Sequence, residues 1–285
     1  MKIIIGTAQF GMRYGLLNKS AVSQSEIKKI LQLSKNKNIK TIDTAISYGR
    51  SEFKLGEANV SKFKIISKLP SLINADNNIQ DWVIKNIENS LKKLKIKSLE
   101  GLLFHDSKDF KSPKVSAALD ALQYLKKIKK IKKIGVSIYC PTELSAINRK
   151  FMPDLVQAPF SIIDRRLENS GWLNWLKEND VEIHARSIFL QGLLLLDANH
   201  RPKKFLKYKK FWKEWDSWLL RRNLSPLQAC IGFCNSNRLI DKFVIGIDNY
   251  KNLKEIISQS KFKIKDIPES LSQKDKEFIN PSSWI

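Results

Sequence analysis

The chain is organised around one stretch, Ile42-Asp43-Thr44-Ala45-Ile46-Ser47-Tyr48-Gly49-Arg50-Ser51-Glu52. An apolar run ends at Asp43, Tyr48 follows closely, and Gly49 interrupts the regular backbone before a helix opens at Ser51. A carboxylate and a phenol at the carboxyl end of a strand contribute little to packing. They suit a proton donor and the group that tunes its acidity, so the stretch predicts a strand leading into a functional loop.

Eight short runs that read as strands alternate with helical patterns along the chain. We predict strands at residues 3–5, 41–43, 63–67, 99–104, 134–136, 155–158, 181–185 and 243–245. Each connection is long enough for parallel pairing, and eight such units close into a (β/α)8 barrel, the TIM barrel of the α/β class. An open doubly wound sheet would need a G-x-G-x-x-G turn after the first strand, and residues 6–11 (GTAQFG) do not fit it.

Helix positions follow from capping residues and apolar spacing. Ser23 with Glu26 forms a capping box, and Ser225-Pro226 supplies a cap followed by a proline in the first turn. Further helices are predicted at 51–57, from Asp76, at 115–131, 143–150, 167–177 and 202–222, and from Asn249. The aromatic residues of segment 202–222 recur at helical spacing. We interpret them as a buried stripe, part of which could reach the substrate pocket, rather than as a nucleic-acid face.

Length and composition indicate one cytoplasmic domain. The chain has 285 residues, of which 42% are hydrophobic, and no linker divides it, so we predict a single domain over residues 1–285. No apolar run approaches the roughly 20 residues that span a bilayer, and the N-terminus lacks the zones of a signal peptide. Three cysteines without CxxC spacing and three scattered histidines predict a reduced compartment and no metal site.

The formal net charge of +23 has two explanations. It could mark a nucleic-acid or membrane partner, or it could reflect solvated lysines on ordinary surfaces. The lysines are spread along the chain, and the densest run, 126–133, carries isoleucines at every third position, as an amphipathic helix would. We therefore expect a small-molecule substrate and neither a nucleic-acid nor a membrane partner; the oligomeric state is not predicted.

Four titratable residues lie at the ends of neighbouring predicted strands. Asp43, Lys68 and His105 follow the second, third and fourth strands, and Tyr48 lies in the loop after the second. Singly, each has an ordinary explanation, such as a turn cap or a core histidine. Because functional groups of barrels gather at the carboxyl ends of the strands, we expect these four to converge.

Their chemistry suits the reduction of a carbonyl group. Hydride addition leaves negative charge on oxygen, so an acid must donate a proton, and Tyr48 can do so. A free tyrosine has a pKa of about 10, which we expect the Lys68 ammonium to lower. Asp43 supplies the counter-charge for Lys68, and His105 can donate a hydrogen bond that orients the substrate oxygen.

These positions match the Asp-Tyr-Lys-His tetrad of the aldo-keto reductases, and nearly the whole chain resembles that family. The most specific match is residues 42–56, IDTAISYGRSEFKLG, supported by residues 6–11 and by Gln191-Gly192-Leu193-Leu194. The resemblance implies reduction of an aldehyde or ketone to an alcohol with NAD(P)H. It leaves one alternative, a cofactor-binding regulatory or interaction subunit without turnover.

The resemblance also implies the cofactor contacts, which are Gly6, Thr7, Ser137, Gln157, Arg186, Ser187, Gly246, Asp248, Asn252 and Glu255. Ser137 and Gln157 correspond to contacts of the nicotinamide carboxamide, and residues 244–255 correspond to the adenosine-phosphate segment. Two positions depart from the family: Ile138 replaces an asparagine, and Arg186 replaces an aromatic residue that stacks on nicotinamide.

Two choices about ligands stay open in the sequence. Asp248 would repel a 2′-phosphate and Lys251 would attract one; we favour NADPH over NADH as the cofactor. Substrate specificity is expected in the loops around residues 107–115, 160–166 and 190–205. Within them, Arg165 and Arg166 are candidates for attracting an anionic substrate.

Overall fold

The computed structural model describes residues 1–16 and 20–284. Eight parallel strands form a closed barrel in chain order, and the last strand pairs with the first. The strands are β1 Ile3–Gly6, β2 Thr41–Asp43, β3 Lys64–Leu69, β4 Gly101–Phe104, β5 Ile134–Ser137, β6 Leu155–Pro159, β7 Glu182–Arg186 and β8 Lys242–Gly246. The predicted (β/α)8 barrel is confirmed.

Helices fill the connections between the strands. They are α1 Ala8–Gly11, α2 Gln24–Asn36, α3 Ser51–Glu57, α4 Ile79–Leu94, α5 Val115–Lys127, α6 Leu144–Asn148, α7 Arg166–Asn169, α8 Trp172–Glu178, α9 Lys209–Arg221, α10 Pro226–Ser236, α11 Tyr250–Ser258 and α12 Lys276–Ile279. Among the described residues, none of the helices combines the length and the apolar character that crossing a membrane requires.

Each of the eight predicted strands is present, with small shifts at the ends. Strand β3 continues to Leu69, so Lys68 lies inside the strand rather than just after it. Strand β4 begins at Gly101, and Leu99 joins the sheet only through an isolated bridge to Ile131. Helix α5 ends at Lys127 although the apolar pattern continues to Ile131, because Lys129 has a φ of 60°, outside the range of a right-handed helix.

Helix prediction was less accurate. The helix predicted at 167–177 is two short helices separated by Gly171, whose φ of 79° no right-handed helix accommodates. Helix α4 is capped by Asn78, which accepts a hydrogen bond from the amide of Asp81, and not by Asp76. The aromatic helix begins only at Lys209, because a separate 3-10 turn precedes it. The capping box at Ser225 is present.

The inner face of the barrel changes from apolar to polar towards the carboxyl ends of the strands. Ile66, Leu103 and Leu155 form a buried apolar cluster of their own. Side chains two residues apart in a strand share a face. Lys68, His105 and Gln157 each come two residues after one of these three and therefore point to the same side. The alternation of side chains along the strands thus places polar groups next to the apolar cluster, towards the carboxyl ends of the strands.

The C-terminal segment packs on the aromatic helix. Phe278 is fully buried, stacks on Tyr208 with ring centroids 4.0 Å apart, and meets Phe211 edge-on at 5.0 Å. Asn235 ties the start of the segment to α10 by donating to the carbonyls of Ser260 and Phe262. The predicted aromatic stripe is buried, and none of Phe211, Trp212, Trp215 and Trp218 lines the central cavity described below.

Candidate active site

A cavity of about 520 Å³ lies at the carboxyl ends of the strands. Asp43, Tyr48, Lys68 and His105 all line it. It is also lined by every predicted cofactor residue, namely Gly6, Thr7, Ser137, Gln157, Arg186, Ser187, Gly246, Asp248, Asn252 and Glu255. The sequence-predicted residues therefore share one site, whatever role each has.

Asp43 and Lys68 form a buried ion pair at the base of the cavity. The Lys68 Nζ lies 2.5 Å from Asp43 Oδ1, and the two side chains are 1% and 3% exposed. Lys68 also donates to the Thr44 carbonyl at 3.0 Å, and Gln157 Nε2 donates to the second oxygen of Asp43 at 2.7 Å. Both charges are thus satisfied away from water, as buried charges require.

Tyr48 and His105 lie above this pair. Their rings meet edge to face, with centroids 5.7 Å apart and an interplanar angle of 76°. The Lys68 Nζ is 5.1 Å from the centroid of the Tyr48 ring. One cluster therefore contains four groups: a carboxylate from β2, a phenol from the loop after β2, an ammonium from β3 and an imidazole from the residue that follows β4.

The loop that carries Tyr48 is held by close backbone contacts. Gly49 has a φ of 54°, which favours glycine, and a Cβ at Gly11 would lie 1.8 Å from the Tyr48 carbonyl oxygen. The Ser51 hydroxyl is 2.9 Å from the Thr7 hydroxyl, and Thr7 in turn donates to the Asp43 carbonyl at 2.9 Å. These contacts join the Tyr48 loop to the end of β2.

The pKa of Tyr48 is raised, contrary to the expectation that Lys68 would lower it. Burial is the main cause, the negative charge of Asp43 adds to it, and the Arg186 guanidinium opposes it. Lys68 is not among the main causes of the shift, and the Asp43 carboxylate beside it acts in the opposite direction. Tyr48 therefore keeps its proton throughout the physiological pH range.

The pKa of His105 is lowered to about 4, mainly by burial and then by the positive charge of Lys68. The imidazole is therefore neutral near pH 7, with one N–H available as a donor. Burial also lowers the pKa of Lys68, while Asp43 opposes that shift. The site contains a protonated phenol and a neutral imidazole, which can both donate hydrogen bonds to one oxygen atom.

The cavity suits an elongated ligand that carries amide and hydroxyl groups. The amide nitrogen of Gln157 is engaged by Asp43, so a ligand carboxamide would meet its carbonyl oxygen. Gln9 also lines the cavity, and its buried Oε1 has no partner in the described parts of the chain. Gly246 allows this side chain to pass, because a Cβ there would lie 2.3 Å from Gln9 Nε2. These features fit a nicotinamide dinucleotide.

The loop after β7 contributes more of the lining than the sequence predicted. Residues Ser187, Leu190, Gln191 and Gly192 all have φ between 47° and 93°. Such backbone is strained for residues other than glycine and is common at functional sites.

Residues from other segments, namely Tyr14, Tyr139 and residues 225–227, also line the cavity. From the sequence, residues 225–227 were predicted only to begin a helix and not to line the cavity.

Two of the expected specificity loops lie elsewhere. No residue of 107–115 or 160–166, all of which are described, lines the cavity. Arg165 is paired with Glu269 at 2.8 Å and Arg166 with Asp164 at 2.8 Å. The suggestion that these two arginines attract substrate is therefore wrong, because both are engaged in structural ion pairs.

Comparison with known proteins identifies the family. The sequence model of the Aldo/keto reductase family matches residues 2–270. The chain belongs to the aldo/keto reductase family. No curated protein matches it. Within residues 1–16 and 20–284, no group of three or more His, Cys, Asp or Glu side chains is arranged to hold a metal ion.

Solved structures of low sequence identity share the fold of this family member. The aldo-keto reductase AKR11C1 of Bacillus halodurans, in its holo form, is 17% identical, with a TM-score of 0.72 over 95% of this chain and 92% of that one. PA4992 of Pseudomonas aeruginosa, described as an aldo-keto reductase, is 18% identical, with a TM-score of 0.65 over 91% and 89%. At these identities the likeness concerns the fold alone.

Proposed function

We propose that this aldo/keto reductase family member reduces an aldehyde or ketone to an alcohol with a nicotinamide cofactor. The observation that supports the proposal is the cluster of Asp43, Tyr48, Lys68 and His105 in the central cavity. A small-molecule carbonyl as substrate, a cytoplasmic location and no nucleic-acid partner belong to the same proposal. The comparisons do not favour the alternative of a subunit without turnover.

In the proposed reaction, His105 and Tyr48 act on the carbonyl oxygen. The neutral imidazole donates a hydrogen bond that orients the oxygen, and the Tyr48 hydroxyl gives up its proton as negative charge develops there. A bound reduced nicotinamide would supply the hydride. Lys68 would stabilise the phenolate that remains, and Asp43 keeps the buried ammonium charged.

A raised pKa does not prevent Tyr48 from acting as the acid. The group that receives the proton is an alkoxide, which is a stronger base than a phenolate, so the transfer remains favourable. Because Tyr48 stays protonated at neutral pH, the required form of the acid is fully populated. The surroundings therefore favour donation over removal of a proton, which fits reduction better than oxidation.

The choice between NADPH and NADH is part of the proposal. The preference for NADPH depended on Lys251, which does not line the cavity, whereas Asp248 and Glu255 do. A 2′-phosphate at this end would approach carboxylates. Titration with both cofactors tests the preference for NADPH; affinity for NADH equal to or above that for NADPH would contradict it.

The test is carbonyl-dependent oxidation of NADPH and NADH over a panel of aldehydes and ketones. Loss of a general acid lowers turnover by about 10²–10⁴-fold, so Tyr48→Phe should lose that much kcat and keep its affinity for the cofactor. Tyr14→Phe is the comparison, since Tyr14 is another phenol in the cavity. A large loss in Tyr14→Phe with none in Tyr48→Phe would assign the proton to Tyr14.

A further inference from the structure

One cation in the cavity is not explained by the proposed chemistry. Arg186 ends β7 and lines the cavity. Its guanidinium lies over the ring of Tyr139, 4.3 Å from the centroid. It donates to the carbonyl of Ile138, which directly follows Ser137, and Ser137 pairs with Gln157, the donor to Asp43, so Arg186 lies at the reacting end of the cavity.

Arg186 has only neutral partners. One terminal nitrogen donates to the Ser187 hydroxyl at 3.2 Å and the other to the Ile138 carbonyl at 2.8 Å. Its buried Nε–H has no acceptor among residues 1–16 and 20–284. A guanidinium carries five N–H donors, so these two bonds leave most of its capacity unused.

The other arginines that are buried or partly buried are neutralised by carboxylates. Arg165 pairs with Glu269, Arg166 with Asp164 and Arg201 with Asp216. Glu255 also lines the cavity, but within the described structure it forms no ion pair with Arg186. The absence of a carboxylate beside a partly buried arginine indicates that its counter-charge comes from a ligand.

The other charges at the reacting end cancel. Asp43 and Lys68 form a pair at 2.5 Å, and the low pKa of His105 leaves its ring neutral at pH 7. The positive charge of Arg186 is therefore not balanced there. An anion at this position would gain both its attraction and its free N–H donors.

We propose that the substrate is an anionic carbonyl compound and that Arg186 binds its carboxylate. The inference depends on the proposed carbonyl reduction, because it names the substrate class of that same cavity. Guanidinium and carboxylate are matched planar groups, and the pair forms strong charge-assisted hydrogen bonds. The Tyr139 ring and the Ile138 carbonyl hold the guanidinium plane in place beforehand, which limits the entropy lost on binding.

A competing role for Arg186 is contact with the cofactor, as the family resemblance implied. The two roles predict different results for the same variant. An arginine that binds substrate affects KM for charged carbonyls only. An arginine that binds the cofactor affects its dissociation constant and the reduction of every carbonyl alike.

The experiment compares wild type, Arg186→Gln and Arg186→Lys on matched substrates. We use 4-carboxybenzaldehyde with 4-carbamoylbenzaldehyde, and the 3-substituted pair, because each acid and amide have nearly the same shape. Arg149→Gln is the control, since Arg149 is exposed, lies outside the cavity and loses the same charge.

Wild type should prefer each acid, and Arg186→Gln should lower kcat/KM for the acid by about 10- to 100-fold, mainly through KM. The amide should change by less than about threefold, and Arg186→Lys should recover only part of the preference because it lacks the planar fork. Equal losses for acid and amide, accompanied by weaker cofactor binding, would overturn the proposal.

A binding measurement separates this proposal from the proposed function. Calorimetry of the cofactor-saturated protein with benzoate and with benzamide requires no turnover. Binding of benzoate alone, lost in Arg186→Gln, supports anion recognition even if no carbonyl is reduced, in which case only the reductase proposal fails. Equal affinity for benzoate and benzamide would overturn the assignment of Arg186, whether or not carbonyls are turned over.

Discussion

Asp43 lies between two donors, because its oxygens accept from Lys68 on one side and from Gln157 on the other. This carboxylate therefore has two roles. It keeps a buried ammonium charged, and it fixes an amide that also faces the cavity. Removing one member of such an arrangement leaves the others with unmatched charge or hydrogen-bonding capacity.

The first residue-scale prediction concerns this ion pair. Asp43→Ala leaves the Lys68 ammonium buried beside a single carbonyl, and we expect the free energy of unfolding to fall by about 3–5 kcal/mol. The double variant Asp43→Ala/Lys68→Met should lose less than the sum of the two single changes. Chemical denaturation measures this, with the exposed Asp120→Ala as control. Strict additivity would mean that the two groups do not interact.

The second residue-scale prediction concerns pH. The pKa of His105 is lowered from 6.5 to about 4 in the folded protein. Between these values the unfolded chain binds a proton that the folded protein excludes. The stability contributed by neutral His105 is therefore complete above pH 6.5 and lost as the pH falls towards 4, by up to about 3 kcal/mol.

Denaturation of wild type and His105→Gln at several pH values tests the sign. The variant should lose less stability than wild type across this interval, because it has no imidazole to protonate. The difference between the two proteins isolates His105 from the many carboxylates that titrate nearby. A difference that stays constant with pH would contradict the shift and its cause.

At the residue scale, the sequence predicted which residues form the site better than it predicted the surroundings of their side chains. Asp43, Lys68 and His105 were identifiable because each follows an apolar run that a strand period could place. The direction of the Tyr48 pKa shift was not, because it depends on burial and on the negative charge of Asp43 nearby. The lack of a carboxylate beside Arg186 was equally hidden, since its contacts Ile138, Tyr139 and Ser187 come from the loops after β5 and β7, which are far apart in sequence.

At the scale of elements, α3 is the helix that follows the Tyr48 loop, and a glycine sets its distance from α4. A Cβ on Gly56 would lie 2.0 Å from the Lys93 carbonyl oxygen. The two helices can approach this closely only because position 56 has no side chain. The spacing in turn fixes where the loop before α3 can lie.

We therefore expect Gly56→Ala to push α3 away from α4. Overpacking of this kind lowers stability by about 1–3 kcal/mol, and turnover should fall because the Tyr48 loop moves with the helix. Gly171→Ala is the comparison: its φ is 79°, but nothing lies within 4 Å of its Cβ. It should affect backbone strain without affecting turnover. Unchanged melting temperature and turnover in Gly56→Ala would refute the close contact.

Strands were predicted better than helices for a physical reason. Buried parallel strands are short and largely apolar runs, and these are conspicuous in the sequence. Helix ends depend on a few local conformations that spacing does not reveal. Gly171 in the left-handed region divides α7 from α8, and Lys129, with a φ of 60°, lies just beyond the end of α5. The eightfold alternation still sufficed to predict the barrel.

At the scale of the whole molecule, the C-terminal segment seals the aromatic helix α9. Phe278 fills the space between Tyr208, Phe211 and Trp212, with ring centroids 4.0, 5.0 and 5.7 Å away. None of these four residues lines the cavity. This part of the molecule therefore contributes to stability independently of the chemistry.

Phe278→Ala tests that separation. Truncating a buried phenylalanine lowers stability by about 3–5 kcal/mol, so the melting temperature should fall clearly. At a temperature where the variant remains folded, turnover per folded molecule should match wild type, because the cavity is unaltered. Thermal denaturation and kinetics on the same sample provide both values. Selective loss of turnover without loss of stability would show that the segment acts on the site.

The most direct test of the account follows the hydrogen atoms. Reduction with cofactor deuterated at the transferring C4 position, analysed by mass spectrometry, should place one deuterium on the carbonyl carbon of the alcohol. The rate of labelling should fall by about 10²–10⁴-fold in Tyr48→Phe while cofactor affinity is retained. Wild-type protein that binds the cofactor but yields no labelled alcohol from any carbonyl, or a Tyr48→Phe variant that labels it at the wild-type rate, would contradict the account.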